Sequence, residues 1–135
     1  MRRLTVLLLP AVLVFAACGS TPRTATNFCR QLAKETEGLA ELPATPDAIN
    51  RTVERYERLL EVAPLAVEDD WRTLTELLRE AGKLDASDEQ AVQKVVDQAY
   101  ASERAAQNAM KWVMTNCGVD ISSGNSVTPV ATTAP

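Results

Sequence analysis

The sequence predicts an all-α protein, an up-down-up-down four-helix bundle closed by one disulfide, on three observations. Apolar residues recur at three- and four-residue steps, with no period-two alternation or hairpin dipeptide between turn signals. Proline and glycine cut these stretches into helices joined by short connections, which favours antiparallel neighbours. Finally, Cys29 near the start of the first helix and Cys117 at the end of the last fall at the same end of such a bundle, where they can pair.

The first helix carries Phe28, Leu32, Leu39 and Leu42, with Thr36 between, and is expected to run to Pro43. Thr45-Pro46 is an N-cap followed by proline at the first helical position. The second helix then aligns Ile49, Val53, Tyr56, Leu60 and Ala63 on one face, and Pro64 breaks it. The third runs from Leu65 to Ala81 with Val67, Trp71, Leu74 and Leu78 on its stripe, and Gly82 reads as its stop. Glu68, Asp69 and Asp70 lie in its first turns, where carboxylates meet the positive end of the helix dipole; that explains the cluster better than a calcium site does, because consecutive helical residues point apart. Ser87-Asp88-Glu89-Gln90 fits a capping box for a fourth helix of about 30 residues, carrying Val92, Val95, Val96, Ala99, Ala106, Ala109, Met110 and Val113 and closing at Cys117-Gly118. Ser102-Glu103-Arg104 interrupts that stripe, so a bend, or an extension past the other helices, is expected there.

The chain begins with Met1-Arg2-Arg3 and a charge-free run, Leu4 to Ala17. As a helix that run reaches roughly 21 Å, short of a hydrocarbon core of roughly 30 Å, and Pro10 interrupts it; residues 1–17 read as a secretory signal peptide. Phe15-Ala16-Ala17-Cys18 resembles the bacterial lipobox, with Phe15 in place of the usual leucine. That resemblance implies a diacylglyceryl group on Cys18, its acyl chains palmitate for instance; two acyl chains suffice for stable anchoring where one is marginal. Residues 18–26 then form the lipidated cysteine and a flexible linker, 27–121 the helical domain, and 122–135 a disordered Ser/Thr/Pro tail. The expected location is the outer face of the cell membrane, within the envelope.

Composition narrows the function by exclusion. Loss of Arg2 and Arg3 with the signal takes the formal charge from −4 to about −6 (18 acids against 12 bases), a poor balance for binding nucleic acid. Export into an oxidising compartment, with Cys18 lipidated, leaves Cys29 and Cys117 as the disulfide pair. With no histidine, Ser-His-Asp and Cys-His catalysis is excluded and two thiols cannot complete a tetrahedral zinc site; no metal or cofactor is expected. Carboxylate pairs such as Glu68 with Asp70, or Glu57 with Glu61, would need to flank a deep cleft to hydrolyse glycosides, and Glu54 with Arg58 reads as an ordinary four-residue ion pair. The chain is read as non-enzymatic. Trp71 and Tyr56 fall on apolar stripes and are expected in the core, whereas Tyr100 and Trp112 sit beside the stripe and form the candidate contact surface.

The lipobox, Phe28-Cys29 soon after it, Ala63-Pro64 with Val67 and Asp69-Asp70 in mid-chain, and the closing Cys117-Gly118-Val119-Asp120 together resemble small helical lipoproteins of actinobacteria. That group carries no established reaction or ligand, so the resemblance implies an anchor and a disulfide but transfers no functional residue. The expected function is a non-enzymatic envelope lipoprotein docking on a membrane or cell-wall partner. The alternative is a bundle that carries a small molecule or lipid in an apolar cavity; the alanine and valine of the fourth helix, which permit close helix approach, speak against it.

Overall fold

A computed structural model describes residues 21–39, 43 and 45–121. Cys18, Leu42 and the segments read as signal peptide and tail lie outside these residues. The fold is a helical bundle, with five helices among the described residues: α1 (Ala25–Leu39), α2 (Pro46–Glu61), α3 (Leu65–Gly82), α4 (Glu89–Ala101) and α5 (Glu103–Cys117).

The helix starts follow local chemistry. The Thr24 hydroxyl accepts from the Asn27 N–H at 3.3 Å, so α1 begins at Ala25, inside the stretch read as linker. Thr45 caps α2 by accepting from Ala48 N–H at 3.2 Å, with Pro46 in the first turn as expected. The α4 cap differs from the expected box by one residue. Asp88, not Ser87, is the N-cap and accepts from the N–H groups of Gln90 and Ala91, both at 3.0 Å. Ser87 is engaged by Asp85, whose carboxylate accepts from both its N–H and its hydroxyl and is thereby held below its ordinary pKa. Gly82 is the last residue of α3 and does not adopt the left-handed cap conformation expected of a stop; Lys83 caps in the right-handed region. Its lack of a side chain serves packing, since a Cβ there would stand 3.1 Å from Asn50 Oδ1 and 3.2 Å from Ile49 Cγ2 at the start of α2. The left-handed glycine is Gly118 (φ 65°), which closes α5 through its N–H to Met114 O.

The expected long fourth helix is divided at Ser102. Its backbone stays near helical (φ −87°, ψ −3°), and its N–H still bonds Gln98 O at 2.9 Å. Its buried hydroxyl also donates to Gln98 O at 2.8 Å, a competition that deforms the helix locally.

The core is built by α1, α2, α3 and α5 with the α2–α3 corner: Phe28 and Leu32, then Leu59, then Ala63 in the corner, then Val67 and Trp71, then Ala109 and Val113, all 2 % exposed or less. Phe28 meets Trp71 and Trp112 edge-on, with ring centroids 5.2 Å apart in both pairs. Tyr56 stacks on Trp71 at 5.0 Å, and Trp71 Nε1 donates to Tyr56 O at 3.2 Å. Trp71 and Tyr56 thus belong to the core, as their positions on the apolar stripes predict. Burial raises the Tyr56 pKa by penalising its phenolate. Thr75, wholly buried, donates to Trp71 O at 2.7 Å and so leaves no orphan hydroxyl.

Cys29 and Cys117 form the disulfide, with Cα atoms 5.3 Å apart, and tie α1 to α5. At the same end Arg23 clamps the start of the chain to the α2–α3 corner. Its Nε donates to Ala63 O at 2.8 Å and its guanidinium pairs with Glu68 at 2.8 Å. Between α1 and α2, Glu35 is buried and accepts from Arg58 Nε at 2.7 Å, Arg58 Nη2 at 2.9 Å and Gln31 Nε2 at 2.8 Å, with Arg55 at 3.6 Å. Arg58 therefore serves α1 through Glu35, in place of the expected Glu54 pairing on its own helix. Hydrogen bonding to Arg58, aided by Gln31 and the charge of Arg55 and opposed by burial, holds the Glu35 carboxyl below the ordinary glutamate range.

Candidate contact surface

The two aromatic residues singled out by sequence do not share one surface. Trp112 is half-buried and packs edge-on against Phe28, so its ring closes the core. Tyr100 is 76 % exposed. Around it the apolar stripe expected along the long fourth helix fails to bury: α4 contributes no buried residue, Val92 and Val95 are half-buried, and Val96 and Ala99 are exposed. Burial on this stripe begins only past the serine, with Ala109 and Val113.

The packing partners explain the failure. As one straight helix the α4–α5 rod would measure about 43 Å, against about 27 Å for α3. Both α1 and α3 pack against α5, whereas among the described residues α3 is the one core helix that packs against α4, and it does so sparsely. The face of Val96 and Tyr100 is left open. Val96, Ala99, Tyr100 and Glu103 line one open groove on this face, and Tyr100, Glu103, Arg104 and Gln107 line the next.

Several charged groups are committed to structure. Glu68, a member of the acidic cluster, pairs with Arg23 and also with Arg72; the hydrogen bond from Arg23 is the first cause of its lowered pKa. Asp69 pairs with Arg72 at 2.7 Å, Asp70 accepts from Asn108 at 3.3 Å, and Glu57 pairs with Arg79 at 2.6 Å. Of the carboxylates weighed as acid/base pairs, Glu57 and Glu68 thus hold arginines and Asp70 accepts from an amide, and among the described residues no group of three acids or thiols is placed to bind a metal. Among the described residues no helix is long and apolar enough to cross a membrane.

The buried Glu35 is a feature that sequence reasoning missed. Its partners lie on another helix, so the four-residue spacing rule cannot find them, although two arginines three apart on α2 were a visible signal. Comparison with known proteins adds no assignment: no family model matches the chain, and neither the curated proteins nor the solved structures contain a match.

Proposed function

We propose that this chain is a non-enzymatic envelope lipoprotein, akin to small helical lipoproteins of actinobacteria, that is held to the membrane by lipid on Cys18 and docks on a partner through α4. In this reading α1, α2, α3 and the α4–α5 rod are the legs of an up-down-up-down four-helix bundle. The pairing of α1 with α2, α2 with α3, α3 with α5 and α5 with α1 supports it.

The observation that carries the proposal is the separation of the two ends. Thr21 and Arg23, just downstream of Cys18, sit by the disulfide and the α2–α3 corner. Tyr100 lies about 25 Å farther along the rod from Cys117. A protein tethered at one end and apolar at the other presents its contact face away from the bilayer. The carrier alternative draws no comparable support, because Phe28, Trp71 and Trp112 pack edge to face where the helices converge.

The test uses the full chain expressed in its own cell. Detergent-phase partition of the wild type, and release of Cys18→Ser into the aqueous phase, is expected; retention of the processed variant on membranes refutes the anchor. A photo-crosslinking residue at position 100 is expected to trap a protein in place, while the same probe at Leu65, equally exposed at the opposite end, does not. Equal trapping at both positions refutes docking through α4.

A further inference from the structure

The stretch between Cys18 and the domain is shorter than its sequence suggests. Pro22 O accepts from Asn27 Nδ2 at 2.8 Å and from Thr24 N–H at 3.0 Å, and Arg23 is clamped to Ala63 O and Glu68. The chain is therefore held to the domain from Pro22 onward, inside the stretch 18–26 that reads as linker. Cys18 stands four residues before Pro22, a reach of about 14 Å at full extension. Arg23 lies against the α2–α3 corner, and that corner carries Leu65, the first residue of α3, 83 % exposed. Ala66 beside it is exposed as well.

We propose that this corner is a membrane seat: the short tether holds it against the bilayer, and Leu65 enters the boundary between headgroups and acyl chains. The inference rests on the lipid anchor at Cys18 and adds to it a non-covalent contact that fixes how the domain stands. One leucine contributes too little to hold a soluble domain on lipid, but a tether of four residues presents it at high effective concentration. Charge sets the depth. Asp69, paired with Arg72, lies one turn along α3, about 6 Å from Leu65. Glu61 is exposed at the end of α2 and lines an open groove with Arg23 and Glu68. These groups stay hydrated among the headgroups, so only the tip of the corner passes them. Zwitterionic lipid suits the seat better than anionic lipid, which these acids repel. Standing on this end, the domain points α4 away from the bilayer.

The test uses the full lipidated chain in phosphatidylcholine vesicles, with a photo-crosslinking residue at position 65 or 100 and phospholipid adducts read by mass. Adducts are expected at 65 and not at 100, the probe being the same and both positions exposed. With the probe at Ala66 instead, Leu65→Asp is expected to lower the adduct at least about tenfold. An acid in the first turn suits the helix dipole, so the melting temperature of that variant should not fall. Twelve Gly/Ser residues inserted between Ser20 and Thr21 lengthen the free tether about fourfold, and should lower the adduct at 65 about eightfold, as the −3/2 power of length. Equal adducts at 65 and 100 overturn the inference, and adducts confined to 100 overturn it by laying α4 on the bilayer. So does an adduct indifferent to Leu65→Asp or to the spacer. A chain that partitions into detergent yet takes no lipid at 65 keeps its anchor and loses the seat. A processed Cys18→Ser chain that stays on membranes sinks the anchor, and the seat with it.

Discussion

Breaking the Cys29–Cys117 bridge tests the architecture most directly, since the bond joins the first core helix to the last across a sequence separation of 88. In the chain-entropy account, closing a loop of that size removes about 15 cal/mol/K from the unfolded ensemble, or about 4.6 kcal/mol at 25 °C. That is a large share of the 5–15 kcal/mol typical of a whole domain. Cys29→Ser and Cys117→Ser should each lower unfolding stability by about 3–5 kcal/mol in urea titrations of the oxidised protein, and the double variant should be no less stable than the worse single. The slope of stability against urea should rise in all three, because an unlinked unfolded chain exposes more surface. A double variant whose loss approaches the total of the two singles would refute the reasoning, since one shared bond cannot be removed twice. A loss under about 1 kcal/mol would show that the reduced chain retains the loop closure by other means.

Three further outcomes follow from single residues. Phe28→Ala should cost about 3–5 kcal/mol by thermal or urea unfolding, because the vacated ring spans two tryptophan edges that cannot close together. Gly118→Ala should cost about 1 kcal/mol through the positive φ alone, since an added Cβ meets nothing within 4 Å; an unchanged melting temperature would count against the left-handed cap. The Glu35 pKa is lowered on folding, so its stabilisation is full above the ordinary glutamate value of about 4.3 and is lost as pH falls through the folded value. Glu35→Gln should therefore be less stable than wild type at pH 7 and close the gap below about pH 4, which a parallel pair of acid titrations followed by circular dichroism would show.

Helix identity was legible where local chemistry decides it. Thr45-Pro46, Pro64 and Cys117-Gly118 bound their helices where the sequence places them, because caps and breakers act within one turn. The boundary at Ser87-Asp88 slipped by one residue because Asp85 competes for Ser87, a contest between neighbours that a capping pattern does not weigh. Gly82 was assigned to a cap when its purpose is clearance for Ile49 and Asn50, a contact between residues more than thirty apart. The stripe through Val92, Val96 and Ala99 is legible but its exposure is not: periodicity shows which residues share a face, whereas only the neighbouring helices decide whether anything covers it. Tyr100 and Trp112 look alike in sequence, each beside the stripe, and separate in space because one lies on the sparsely packed α4 and the other opposite Phe28.

The position of the disulfide also has a mechanical meaning. A pull between the start of the chain at Thr21 and anything held at Tyr100 crosses from α1 to α5 through the sulfur bridge and leaves along α5, so α2 and α3 carry none of the load. Even fully extended, the loaded path holds roughly 25 residues and stretches to about 90 Å, whereas the reduced chain could pay out roughly 80 residues, or about 280 Å. The bridge turns an elastic chain into a short leash, and on the proposed reading a partner engaged by α4 stays within that distance of the membrane.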